Sequence, residues 1–93
     1  MRTIERTSRF KRDYKRESRG RHRRYLDASL TTIVKALAND QPLEPRHHDH
    51  ALSGEWGDYR DCHVKPDLVL IYQKSGADIL RLVRLGSHSE LGL

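Results

Sequence analysis

Six histidines stand in this chain of 93 residues, and four of them, His47, His48, His50 and His63, fall within seventeen positions of one another. A fifth, His88, lies near the C-terminal end. Imidazole, with an unperturbed pKa of about 6.5, both gives and takes protons at neutral pH. Two or more imidazoles with a carboxylate and arginines suit RNA transesterification. One group removes the ribose 2′-OH proton, another protonates the departing 5′-oxygen, and cations stabilise the crowded phosphorane. Each such proton transfer is typically worth ~10²–10⁴-fold, and the chemistry needs no metal or other cofactor. The competing use of the same residues is a zinc site, since His48 and His50 could both ligate metal, but no full ligand spacing accompanies them. The single cysteine, Cys62, excludes an intrachain disulfide and a Cys-rich zinc module; it reads as a small core residue. His47 and His48 read as loop surface and His22 as a helix-face residue.

The elements that must position these groups can be read from spacing. Residues 1–7 alternate well enough for a short strand. Ser8 is a plausible cap for a helix through about Arg19, with Phe10 and Tyr14 one turn apart. Gly20 stops that helix, and a second restarts almost at once, with Leu26, Leu30, Ile33, Val34 and Leu37 at helical spacing. Asn39 to Pro42 ends it. Two helices joined by one glycine predict a hairpin with its arginines outward. Residues 41–57 read as a loop, with Trp56 anchoring it to the sheet or stacking on a base. Three strands follow at Asp58–Val64, Leu68–Lys74 and Asp78–Leu85, the middle one apolar enough to be buried on both faces. Gly86 leaves a short tail. The prediction is one α+β domain, residues 1–93, in the order β-α-α-β-β-β: a helical hairpin on a small, mainly antiparallel sheet. In a three-stranded meander, His63, Asp67 and His88 gather at one end, with His50 folding over them. Strict alternation turns Arg81 and Arg84 to opposite faces, and Arg84, nearer His88, is the one expected at the site.

Charge is distributed unevenly. The net charge is +5, yet residues 1–24 hold eleven Lys/Arg against three acids. Such a segment points to a polyanion or an acidic protein partner. Arg16, Arg19 and Arg23 on the basic helices, with Arg60 and Arg84 on strands, are the candidate phosphate ligands. Hydrophobic residues make up 35% and charged residues 33% of the chain, and the mean hydropathy is −0.84. No apolar run approaches the ~20 residues of a membrane span, and no basic-then-apolar leader is seen. A cytoplasmic protein without membrane contact is expected.

The run from His50 through Gly54, Trp56, Tyr59-Arg60-Asp61, His63-Val64 and Pro66-Asp67 to Leu70-Ile71-Tyr72 resembles the YafQ-type toxins of bacterial toxin–antitoxin modules. These belong to the RelE-like superfamily of messenger-RNA interferases. The closing Arg84-Leu85-Gly86-Ser87-His88 looks like the family's R-x-G-[ST]-H ending, and the strand followed by basic helices agrees in order and length. The resemblance implies a RelE-like fold and ribosome-dependent cleavage of mRNA on the 70S ribosome, in contact with mRNA and rRNA. It also implies inhibition by a co-expressed, DinJ-like antitoxin. Carried over by motif, His50, His63, Asp67 and His88 match the family's active-site residues, and Arg84 its phosphate-binding arginine. His88 is then the general acid, with His63, His50 or Asp67 as base or orienting partner. Two departures stand out: Leu68 and Gly92 fall where the family commonly has aromatic side chains. Two other classes compete, a ParE-like gyrase-binding toxin and a non-catalytic RNA-binding module. A gyrase binder has no need of the three matched histidines and Asp67, and a plain RNA-binding module would lose its function to salt but not to substitution of His88.

Overall fold

The computed structural model describes every residue, 1–93. The clearest helical periodicity forms α2, Leu26–Ala38, which buries Leu26, Leu30, Ile33, Val34 and Leu37 along one face. Asp27 lies in its first turn, where the helix dipole favours an acid. The first helix, α1, spans Ser8–Glu17, and its cap is Thr7 rather than Ser8: the Thr7 hydroxyl accepts the Phe10 N–H at 3.0 Å. The one-glycine hairpin link is not what forms. Residues 18–25 make an irregular connection instead. Arg21, Arg23 and Arg24 would crowd cations at the positive end of a helix, and Arg21 and His22 are drawn to Asp67. His22 is thus a turn residue, not part of a helix face.

Five strands form one sheet in the spatial order β1–β5–β4–β3–β2. They are β1 (Thr3–Arg6), β2 (His50–Ala51), β3 (Arg60–Lys65), β4 (Leu68–Ser75) and β5 (Ile79–Gly86). β1 runs parallel to β5, and every other pair is antiparallel. β2 was hidden in the expected loop because two residues are too few to show alternation. The expected tail contains a short helix, α3 (His88–Leu91), begun by a reciprocal cap between Ser87 and Glu90.

The helices cover one face of the sheet, where Phe10 and the apolar stripe of α2 meet Cys62, Val64, Leu68, Leu70, Tyr72, Leu80, Leu82 and Leu85. The opposite face carries a smaller cluster of Val69, Ile71, Val83 and Leu91, against which Leu52, Trp56 and Tyr59 pack. β4 is therefore buried on both sides from Leu68 to Tyr72, as its composition predicts. Cys62 is fully buried, with its thiol pushed above its ordinary range by burial. Leu68 likewise points into the core.

β5 outruns β1, which would leave bare edge groups. The start of α1 supplies the missing partners. The Thr7 N–H donates to Leu82 O at 3.0 Å and the Thr7 hydroxyl to Val83 O at 2.7 Å. Asp13 accepts the Leu85 N–H at 3.0 Å, and Arg16 donates to Leu85 O at 2.9 Å. A bulge separates the pairs Ile71–Arg84 and Tyr72–Leu82, leaving Val83 as the extra residue on β5. The alternation expected to carry from Arg81 to Arg84 is broken there. Arg81 reaches Glu5 and Gln73, whereas Arg84 reaches Asp13.

Candidate active site

Period-two geometry on β3 sends Cys62 and Val64 into the helix-covered core and Asp61 and His63 to the other face. The Ser87 cap sets His88 at the first position of α3, directly beyond β5. The His88 and His63 rings meet edge to face with centroids 5.0 Å apart. His48 also stands against His63, with centroids 5.2 Å apart. His48 reaches it from a left-handed backbone turn, φ 45°, a conformation that spacing does not reveal. His50, on β2, pairs opposite Asp61, and its Nδ1 lies 3.1 Å from Asp61 Oδ1. Between the two loop histidines, Asp49 is clamped by the Tyr72 hydroxyl and by Arg60, whose Nε lies 3.4 Å away. That clamp fixes the loop carrying His48 and His50.

The histidine tautomers follow from their partners. His50 Nδ1 lies 2.6 Å from His48 O. A carbonyl can only accept, so Nδ1 carries the proton and the neutral ring keeps its lone pair on Nε2. His47 Nδ1 donates in the same way to His63 O at 2.7 Å, tying the loop to β3. Asp61 is 2% exposed, and its Oδ1 accepts no hydrogen bond. The approach of His50 Nδ1 is thus a close contact, because that N–H is already given to the carbonyl. Burial pushes the Asp61 carboxyl above the usual carboxylate range, against the pull of His50, His63 and His88. Burial, then the neighbouring His88, holds the His63 imidazole below its ordinary value, with Asp61 pulling the other way. Half-buried His63 is therefore neutral at pH 7 and its lone pair is available. An open groove of about 420 Å³ borders His50, Asp61 and His88, with Trp56 on its wall. Trp56 packs edge-on against Tyr59, 5.4 Å between centroids.

His50, His63 and His88 thus come together as the meander topology predicts. Asp67 stands apart from them in its contacts: it engages Arg21 and, at 3.1 Å, His22 Nε2. Arg84 donates Nε to Asp13 Oδ2 at 2.7 Å and a terminal nitrogen to Oδ1 at 3.2 Å. Arg60 donates to the Tyr72 hydroxyl at 3.2 Å. Arg16 braces Asp13, Glu17, Glu90 and the Leu85 carbonyl. Arg19 and Arg23 are exposed. Two site groups escaped the sequence reading. Asp61 could have been found from its alternation with His63; His48, expected on the loop surface, could not. No three His, Cys, Asp or Glu side chains converge as metal ligands.

The profile of the family described as "Bacterial toxin of type II toxin-antitoxin system, YafQ" matches residues 2–92. This chain belongs to the YafQ family. An mRNA interferase toxin YafQ of Escherichia coli K12 is 35% identical over 90 residues, covering 95% of this chain and 97% of the relative. Among solved structures, a copper-bound mutant toxin from Helicobacter pylori has a TM-score of 0.85 at 35% identity, over 98% of this chain and 99% of that one. YafQ in the E. coli DinJ–YafQ complex has a TM-score of 0.79 at 33% identity, over 98% of each chain. The family and the α+β, RelE-like architecture are those that the motifs implied. No helix is long and apolar enough to cross a membrane.

Proposed function

We propose that this YafQ-family chain is an mRNA endoribonuclease that cuts translated message on the ribosome by acid–base catalysis without a metal. His63, held neutral by burial and by His88, takes the 2′-hydroxyl proton. The 2′-oxygen attacks phosphorus, the bond to the 5′-oxygen breaks, and His88 gives that oxygen its proton. The products are a 2′,3′-cyclic phosphate and a 5′-hydroxyl. His50, with Asp61 beside it and its Nδ1 held by the His48 carbonyl, supports the charge that forms on the imidazoles. The observation that carries this reading is His63 flanked by His48 and His88 beside a buried carboxylate with an unmet oxygen. Two imidazoles about 5 Å apart suit the two oxygens that exchange at one phosphorus.

The cations divide by their existing duties. Arg84 spends two nitrogens on Asp13 and offers the third to the phosphate. Arg60 does the same from its contact with Tyr72. Arg19 and Arg23, with the outer edge of Arg16, meet rRNA phosphates through salt-sensitive contacts. Asp67 ties the basic connection to the sheet beside the site and moves no proton. A DinJ-like antitoxin neutralises the toxin in the cytoplasm, as the complex of the E. coli relative suggests. The test is primer extension on a defined mRNA programmed on 70S ribosomes, using the unsubstituted protein and His88→Ala. Cleavage by the unsubstituted protein alone is expected. Cleavage by both removes His88 from the chemistry, and cleavage by neither refutes the nuclease reading.

A further inference from the structure

Only three large apolar side chains are well exposed: Met1, Leu93 and, at 59%, Tyr25. The first two are chain ends. Tyr25 lies mid-chain, at the start of α2, and its side chain caps nothing there. It makes no side-chain hydrogen bond, and its ring lies 5.8 Å from Lys65 Nζ. An aromatic ring with no folding task, set among Arg21, Arg23, Arg24 and Lys65, has the composition of a single-strand stacking platform.

Lys65, which adjoins that ring, also lines a cleft. Between the first half of α2 and the end of β3 runs an open channel of about 500 Å³, bordered by Ser29, Thr32, Arg46, His47, His63 and Lys65. Its size falls in the range of small-ligand sites, ~300–1,000 Å³. β2 covers β3 only as far as Asp61, and beyond it His47 holds the His63 carbonyl at 2.7 Å and forms part of the channel wall. His63 belongs both to the histidine cluster and to this channel. Lys65 belongs both to the channel and to the Tyr25 contact. A strand whose phosphate sits at His63 can follow the channel to Lys65, the residue beside the Tyr25 ring. The nearby acids are already engaged: Asp67 with Arg21 and His22, and Glu44 with Arg46.

We propose that the channel between α2 and β3 seats a nucleotide of single-stranded RNA flanking the cleaved phosphate, its base stacked on Tyr25 and its phosphate against Lys65. The inference rests on the ribonuclease reading and extends the same site. Hydroxyls at Ser29 and Thr32 line the wall that faces the sugar.

The experiment titrates a fluorescent single-stranded 2′-O-methyl oligoribonucleotide of about a dozen nucleotides, which carries no 2′-hydroxyl to attack. Anisotropy is read for the unsubstituted protein, Tyr25→Ala, Tyr25→Phe and Lys65→Gln at several salt concentrations. Stacking of one base predicts that Tyr25→Ala weakens binding roughly tenfold or more, whereas Tyr25→Phe stays within about twofold. Lys65→Gln lowers the salt slope by about one phosphate contact. Unchanged binding by Tyr25→Ala, or no binding by the unsubstituted protein, overturns the proposal. So does a Tyr25→Ala protein that binds RNA normally but escapes neutralisation by a DinJ-like antitoxin, which assigns the ring to protein docking. Cleavage of the all-ribose oligonucleotide on ribosomes is scored separately. Its absence alongside Tyr25-dependent binding rejects the nuclease reading while upholding the channel.

Discussion

Asp13 and Asp61 are both almost fully buried carboxylates, 4% and 2% exposed, and the fold treats them in opposite ways. Asp13, on α1, accepts hydrogen bonds from Arg84, Arg16 and the Leu85 backbone. Burial raises its pKa, but these partners outweigh burial and leave it below the usual carboxylate range. Asp61, on β3, has three imidazoles near it and an oxygen that accepts nothing. There burial wins, and the pKa rises. The first carboxylate locks α1 onto the open edge of β5. The second keeps a polar demand unmet beside an open groove, an arrangement characteristic of reactive sites. The cations differ in the same sense: Arg84 and Arg16 brace the fold, while Arg19 and Arg23 remain exposed.

Breaking the satisfied side should have the largest effect on stability. Asp13→Ala strands the Arg84 guanidinium and the Leu85 N–H together, and loss of one partner from a buried pair costs about 3–5 kcal/mol. Thermal unfolding followed by circular dichroism should show a fall in Tm of well over 10 °C, at roughly 4–8 °C per kcal/mol for a domain of this size. A fall of only a few degrees would mean that Asp13 is not the lock. The same contrast governs acid sensitivity. Asp13 has a depressed pKa, so its contribution is present above the ordinary carboxylate value and is lost as pH falls through its folded value. Chemical denaturation between neutral pH and pH ~3 should therefore lose less stability in Asp13→Asn than in the unsubstituted protein. Equal acid losses would contradict that assignment.

The unsatisfied side should respond with the opposite sign and a smaller size. Asp61 has a raised pKa, so its ionised form opposes folding once pH exceeds the ordinary carboxylate range. Asp61→Asn is expected to leave stability at pH 7 unchanged or raise it by about 0.5–1 kcal/mol, while cleavage falls. A variant that loses stability and keeps full cleavage would place Asp61 with Asp13 as a structural residue.

The legible parts of the molecule were those written in periodicity. The apolar stripe of α2 and the alternation of β3 to β5 follow from which side chains must leave water. The meander they form gathers His63 and His88, while His50 is brought in by β2, a strand too short to read from spacing. What escaped was set by tertiary contact or by single backbone turns. The connection after α1 follows Asp67, which the sequence places more than forty residues away. His48 enters the cluster through one left-handed residue. Arg84 turns to Asp13 because a bulge at Val83 breaks the alternation. α3 was the avoidable omission, since Ser87 and Glu90 spell its cap.

The most direct test of the division between a bracing end and a reacting end is the single-turnover cleavage rate of His63→Ala on programmed ribosomes, after its unfolding curve has been recorded. His63 is half-buried, and its carbonyl, rather than its ring, holds His47. A fall of ~10²–10⁴-fold in rate with Tm nearly unchanged is expected. Cleavage at the unsubstituted rate by a folded His63→Ala protein would contradict it.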